Sequence, residues 1–140
     1  MAYFKSAEEL YKILGRLLDR VSLDSRLGRS IAAIDMVFQY RYSDPDAWVT
    51  INARGKPEQG YLSHVLGPTD LKADVIMEMD ADFAHEFFLG KGNVMIAMAR
   101  GRIKSRGKMT KLLKLLPVIK PIFPIYRAVL EEMGRKDLIV

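Results

Sequence analysis

Two runs of alternating apolar residues constrain this chain more than anything else in it. Ile34, Met36, Phe38, Tyr40 and Tyr42 fall on one side of the first, and Ala47, Val49, Ile51 and Ala53 on one side of the second, with Asp44-Pro45-Asp46 between them. A period of two sends successive side chains to opposite faces of a strand, and Asp and Pro are turn formers, so residues 34–53 read as a β-hairpin with one apolar face. Gly55-Lys56-Pro57 closes it.

Around that hairpin the period changes. From Ser6, with Glu9 three residues on as a capping-box partner, Leu10, Ile13, Leu14, Leu17, Leu18 and Val21 recur at helical intervals, which predicts a helix over about residues 6–21. A short helix at about 24–32 follows. Residues 61–66 and 73–79 read as further strands, the second with Ala73, Val75, Met77 and Met79 facing one way and Asp74, Glu78 and Asp80 the other. One sheet face is then apolar and the other largely wet. Asp80 or Asp82 can cap a short helix that buries Phe83, Ala84, Phe87 and Phe88 and stops at Gly90. Residues 93–100 add a turn or two of helix, and Gly101 to Gly107 reads as a strand exposing Arg102, Lys104 and Arg106. A helix from about Met109 carries Leu112, Leu113, Leu115 and Leu116 until Pro117, Pro121 and Pro124 interrupt it, and Pro124 is placed to start a last helix, Ile125 to Met133. No repeat, low-complexity run or linker divides the chain, so a single domain over residues 1–140 is expected.

Charge is segregated along the sequence. Lys91 to Leu130 holds ten basic residues and no acid, leaving twelve bases and seventeen acids for the rest, so the formal +5 conceals a block of +10 against −5 elsewhere. An anionic partner is expected for such a block. With 49% apolar and 28% charged residues the chain lies far from the composition of disordered proteins. The absence of cysteine excludes disulfides, zinc–thiolate sites and a thiol nucleophile, and suits a reducing compartment, so the cytoplasm is the expected location. Charges interrupt the N-terminal MAYFKSAEELYKIL, and no window reaches the ~18 uncharged apolar residues of a spanning helix.

Motifs of catalysis are incomplete. His85-Glu86-Phe87-Phe88-Leu89 opens like H-E-x-x-H but has leucine at the second ligand position. His64 sits in a strand, Ser63 lies in no nucleophile motif, and Asp80-Ala81-Asp82 lacks the rest of a calcium loop. Gly90-Lys91-Gly92 satisfies neither phosphate-loop pattern. No catalytic residue, metal site or cofactor is expected.

What remains is the order of residues within the basic block. Gly90-Lys91, Asn93, Ala97-Met98, Gly101-Arg102-Ile103-Lys104, Gly107 and Met109, continued by Lys114-Leu115, resemble the C-terminal signature of the sterol carrier protein 2 (SCP2) family. Ala73-Asp74-Val75 followed by Asp82-Phe83 resembles that family's strand leading into a short aromatic helix. The resemblance spans about residues 23–116 and is strongest over 73–116, with 117–140 a C-terminal helical extension. It implies an α+β fold in which a curved, mainly antiparallel five-stranded sheet is covered by helices around an internal hydrophobic cavity. It also implies non-enzymatic binding, and transfer, of a fatty-acyl, acyl-CoA or sterol-like lipid.

The walls of that cavity are expected from Met36, Phe38, Val49 and Ile51 of the hairpin, and from Val75, Met77 and Met79 of the next strand. Phe83, Phe87, Met98, Ile103, Met109, Leu112 and Leu116 would complete them. Methionine, with flexible torsions and a polarizable sulfur, suits a wall that adapts to apolar ligands. Arg102, Lys104, Lys108, Lys111 and Lys114 are expected to form one basic surface beside the entrance, over Leu112, Leu113 and Leu116, for an anionic head group or an anionic membrane. Two rival readings stay open: a nucleic-acid binder using the 100–114 surface, and an accessory domain of an enzyme complex. The first is disfavoured because the block's aromatics, Phe123 and Tyr126, lie beyond the basic strand. Oligomeric state is not legible.

Overall fold

The hairpin folds as its alternation requires. A computed structural model describes residues 2–55 and 57–140, so Lys56 of the Gly55-Lys56-Pro57 turn lies outside the described residues. Strand β1 (Val37–Ser43) pairs antiparallel with β2 (Ala47–Asn52), and β2 with β3 (Ser63–Leu66). Strand β4 (Val75–Asp80) then joins the other side of β1 in parallel, and β5 (Lys104–Gly107) closes the sheet antiparallel to β4. The order is β3-β2-β1-β4-β5. The sheet is thus mixed and mostly antiparallel, and the architecture is α+β.

Register fixes which side chains share a face. Ile51, Phe38 and Val75 form one row across the sheet, Val49, Tyr40 and Met77 the next, and Ala47, Tyr42 and Met79 a third. Helix α1 (Ala7–Leu23) lays Leu10, Ile13, Leu14, Leu17, Leu18 and Val21 into the core, as its spacing predicted. Ser6 caps it by accepting from the Glu9 N–H at 3.2 Å, whereas the Glu9 carboxylate reaches the Lys5 N–H, one residue short of the expected reciprocal box. Helix α2 (Leu27–Ala32) follows. Helix α3 (Ala81–Phe88) takes Asp80 as its cap, and Asp82 instead accepts from the Tyr3 N–H. Helix α4 (Val94–Ala99) is capped by Asn93, and α5 (Met109–Leu115) runs into a 3₁₀ turn over Leu116–Val118. Helix α6 (Ile122–Glu132) begins earlier than expected: Pro121 is its cap and Pro124 sits in the first turn, where no backbone donor is needed.

Two readings are corrected. The outer face of the sheet is not simply wet: Gln39 and Thr50 are buried there, and the Gln39 amide donates to Thr50 Oγ1 at 2.8 Å and accepts from Arg41 Nε at 2.7 Å. Arg41 in turn lies over the Trp48 ring at 3.9 Å, so its long stem shields the pair beneath it. The basic strand is shorter than 101–107. Arg102 precedes it, in a turn that lays its guanidinium over the Phe83 ring at 4.7 Å.

Candidate functional site

The space between sheet and helices is apolar and nearly filled. One enclosed void of about 30 Å³ lies between α1 and β1/β2, and a second of about 20 Å³ lies between β1/β4 and the α3, α5 layer. Each has room for one or two water molecules, too little for a lipid chain, and apolar walls keep such space dry. The elongated cavity that the resemblance implied is therefore closed in this conformation. Its physical cause is a partition: Tyr40, Tyr42, Phe88, Leu115 and Ile119 border both voids and meet between them. The only polar side-chain groups in either wall are the Tyr40 and Tyr42 hydroxyls, whose pKa values burial pushes up, so both are neutral donors at physiological pH.

Of the wall residues expected from the sequence, Phe38, Val49 and Ile51 border the first void, and Met77, Met79, Phe83, Phe87, Ile103, Leu112 and Leu116 the second. Met36 and Val75 are fully buried away from both, and Met98 and Met109 are partly buried at the core margin. The five partition residues were not on that list, nor were Leu14, Leu17, Leu18 and Val21 of α1. The helical stripe at 10–21 marked α1 as core, but nothing in its spacing told which void it would roof.

Beyond the second void lies a surface groove of about 310 Å³. Phe87, Val94, Leu116 and Ile119 border both and stand between groove and void. Gly90, Gly92, Asn93, Met95, Lys120 and Phe123 complete the groove. Gly90 and Gly92 adopt positive φ, +88 and +85, which lets the α3–α4 loop fold tightly over its rim.

Three of the ten bases in the block are paired with carboxylates in space. Arg102 lies 3.6 Å from Asp80, Arg106 3.9 Å from Glu78 and Lys108 3.3 Å from Asp74. Lys111 Nζ donates to the carbonyls of Ile34 and Asp35 at 2.8 and 2.7 Å. Lys104 and Lys114 are exposed with no carboxylate within 4.0 Å among the described residues, and Leu113, expected beneath the basic surface, is itself 53% exposed. Asp74 is the most engaged of the acids. Its carboxylate accepts from the Val37 N–H at 2.9 Å and from Arg54 at 2.8 Å, and the Val37 bond first, then Lys108 and Arg54, hold its pKa below the usual range.

His85 has a structural role. Only 1% exposed, it donates from Nε2 to the Leu138 carbonyl at 2.6 Å, which leaves Nδ1 to accept the Tyr126 hydroxyl at 2.7 Å. Burial holds its pKa below the ordinary 6.5. It pins the C-terminal segment to α3 and α6. His64 lies on the partly buried edge strand β3, and no three His or carboxylate groups converge as a metal site among the described residues. No helix among the described residues is long and apolar enough to cross a membrane.

No protein-family model matches the sequence, and no curated protein matches it. Solved structures do. The solution structure of the sterol carrier protein domain 2 of Helicoverpa armigera superposes with a TM-score of 0.63 at 20% identity, covering 82% of this chain and 88% of that one. The UbiJ-SCP2 ubiquinone synthesis protein gives a TM-score of 0.61 at 10% identity over 82% of this chain and 98% of its own. This chain has the sterol carrier protein 2 fold. The stereoselective inverting sec-alkylsulfatase Pisa1 from Pseudomonas sp. contains a matching part, with a TM-score of 0.55 at 21% identity over 69% of this chain, and the chain spans only 14% of that enzyme's length. In the SCP2 fold as this chain builds it, residues of α3, the start of α4 and the 3₁₀ turn border both the second void and the surface groove.

Proposed function

We propose that this protein binds one long apolar ligand, a fatty-acyl or sterol-like lipid, between its sheet and its helices, and performs no chemistry on it. The observation that carries the reading is the composition of the interior walls: apolar side chains from α1, β1, β2, β4, α3 and α5, with two neutral hydroxyls as their only polar groups. Each methylene transferred from water into such surroundings contributes about 0.8 kcal/mol, so a C12 to C16 chain gains roughly 10–13 kcal/mol before the costs of association and of opening the layer. Opening means parting Leu115 and Ile119 from Tyr40, Tyr42 and Phe88 so that the two voids join. Every 1.4 kcal/mol needed for that step weakens binding about tenfold. Among the described residues the walls of the two voids carry no carboxylate, histidine or lysine. The carrier role, and the cytoplasm as its place, belong to this proposal.

Displacement of a fluorescent fatty acid, with native mass spectrometry of the purified protein, tests it. Binding of one chain per molecule, with competition by fatty acids, acyl-CoA or sterols at micromolar concentration, is expected. Absence of competition by all three would sink the reading. A second reading, a domain serving a catalytic partner, is supported by the match within the alkylsulfatase. Under that reading the isolated chain binds no lipid and associates with an enzyme. Ion pairing of Arg102 and Arg106 with β4 acids, and of Lys108 with Asp74 just before β4, speaks against a phosphate-tracking nucleic-acid surface.

A further inference from the structure

We infer that the exposed end of α4, with the cations around it, is a docking surface for an anionic lipid bilayer, set beside the groove that borders the second void. The inference takes its purpose from the interior-binding reading, but its geometry stands by itself. Helix α4 is only six residues long, and it turns Val94 and Ala97 inward while Met95 and Ile96 remain 52% and 50% exposed. These are the only two consecutive large apolar residues so exposed among the described residues; Leu23, Val65, Leu71, Leu113 and Val140 are exposed singly. A lone exposed leucine is ordinary, whereas a projecting pair beside a groove is the kind of apolar surface that enters a bilayer interface.

Charge surrounds the pair. Lys91 stands in the loop that rims the groove, Lys120 lines the opposite wall, and Arg100 follows Ile96 by four residues, which places it on the same side of the helix. None of the three has a carboxylate within 4.0 Å among the described residues, in contrast to Arg102, Arg106 and Lys108. No acid occurs in the sequence between Glu86 and Glu131. Apolar residues that insert, unpaired cations that meet lipid phosphates and a groove that shares side chains with the second void are thus brought together on one small surface. An exposed Met-Ile pair gives no stacking platform for bases, which favours a bilayer over a nucleic acid.

Cosedimentation of the full chain with phosphatidylcholine vesicles, with and without phosphatidylserine, tests the inference. Binding to the phosphatidylserine vesicles alone is expected, with release once salt shortens the Debye length to about 3 Å. Met95→Asp with Ile96→Asp should weaken binding by about tenfold or more, and Lys91→Gln, Arg100→Gln or Lys120→Gln by about fivefold each. Lys104→Gln with Lys114→Gln should change it by less than about twofold, and Met95→Trp in a Trp48→Phe background should shift its emission to shorter wavelength on vesicles. All the changed α4 positions are exposed, and unchanged circular dichroism verifies folding. Absence of vesicle binding, an unaltered affinity of the double aspartate variant, loss that follows Lys104 and Lys114 instead, or preference for single-stranded DNA overturns the inference. Fatty-acid displacement measured without vesicles reports separately on the interior: docking without displacement leaves this surface standing and removes the ligand reading, and displacement without docking does the reverse.

Discussion

Replacing Gly107 by alanine should be among the most damaging single-methyl additions in this protein. Gly107 ends β5, pairs with Val75 across the β4 ladder and has φ +110, a conformation that side-chain-bearing residues rarely adopt. A Cβ built there falls 2.0 Å from the Asp74 carbonyl oxygen and 3.1 Å from Val75 Cα, both backbone atoms that cannot swing aside. The Asp74 oxygen also accepts the Lys108 N–H at 2.8 Å, the bond that starts α5 against the sheet. Strain at the unfavourable φ costs about 1–3 kcal/mol, and the displaced backbone hydrogen bond about 0.5–1.5 kcal/mol more. The sum is roughly 1.5–4.5 kcal/mol, or a fall in Tm of about 5–16 °C for a chain of this size. Gly134→Ala is the matched comparison, because Gly134 also has positive φ, +71, but nothing lies within 4 Å of its added Cβ. That variant should lose only about 1 kcal/mol. Urea denaturation followed by circular dichroism compares the two on one scale. If Gly107→Ala is no more harmful than Gly134→Ala, the close approach of β5 to the Asp74 backbone is not as described.

Three other outcomes follow from the packing. Because the folded-state pKa of His85 is depressed, the unfolded chain binds that proton first, so stability should be flat above pH 6.5 and fall as pH drops below it, by at most about 1.4 kcal/mol per pH unit; thermal melts of the parent against His85→Gln resolve this, and an equal slope in both would refute the assignment. Leu115→Ala should lose about 2–5 kcal/mol in denaturation while raising fatty-acid affinity, since Leu115 is 1% exposed and stands between the two voids; an affinity that falls with stability would argue that no chain lies there. Arg20→Ala should cost under about 1 kcal/mol, because its ion pair with Glu132 is nearly half exposed, and Arg135→Ala should cost more, because Arg135 is less exposed and engages both Glu9 and Asp137.

Local structure was legible wherever one period dominated. The hairpin, α1, an acidic cap at Asp80 or Asp82 and the glycine stop at residue 90 all emerged at or near their places. What the sequence could not carry was the pairing of strands distant along the chain. Asp74, Glu78 and Asp80 were read as one polar edge and Arg102, Lys104 and Arg106 as another, with no means of knowing that β4 and β5 are neighbours. The register that sets Ile76 opposite Arg106 brings Arg106 diagonally to 3.9 Å from Glu78, and Arg102 lies 3.6 Å from Asp80, while Lys104, directly opposite Glu78, stays unpaired. A +10 block counted along the chain therefore misstates the field at the surface, and its unpaired cations include Lys91, Arg100 and Lys120, outside the five residues expected to form the basic surface. The shape of the interior was illegible for a related reason: apolar alternation says that Tyr40 and Tyr42 face inward, but whether two tyrosines line a cavity or plug it depends on what α1, α3 and α5 bring against them.

If the interior does open, the segment from Leu116 to Phe123 is where it can do so with least loss. Pro117 and Pro121 contribute no N–H there, and the 3₁₀ turn over Leu116–Val118 has no side-chain cap. Leu116 and Ile119 are held against the second void by apolar contact; apart from the Leu116 N–H to Leu112 bond that hinges the segment to α5, the backbone bonds around them are the short-range Ile122 N–H to Ile119 and Phe123 N–H to Lys120. A shift of this segment as a unit keeps both of those bonds, whereas moving β1, β2 or β4 would break ladder bonds on two sides. It would also draw Leu116 and Ile119, two of the four residues that separate groove from void, away from Phe87 and Val94. Closure and access thus rest on the same few side chains, and they stand beside the exposed Met95 and the unpaired Lys120.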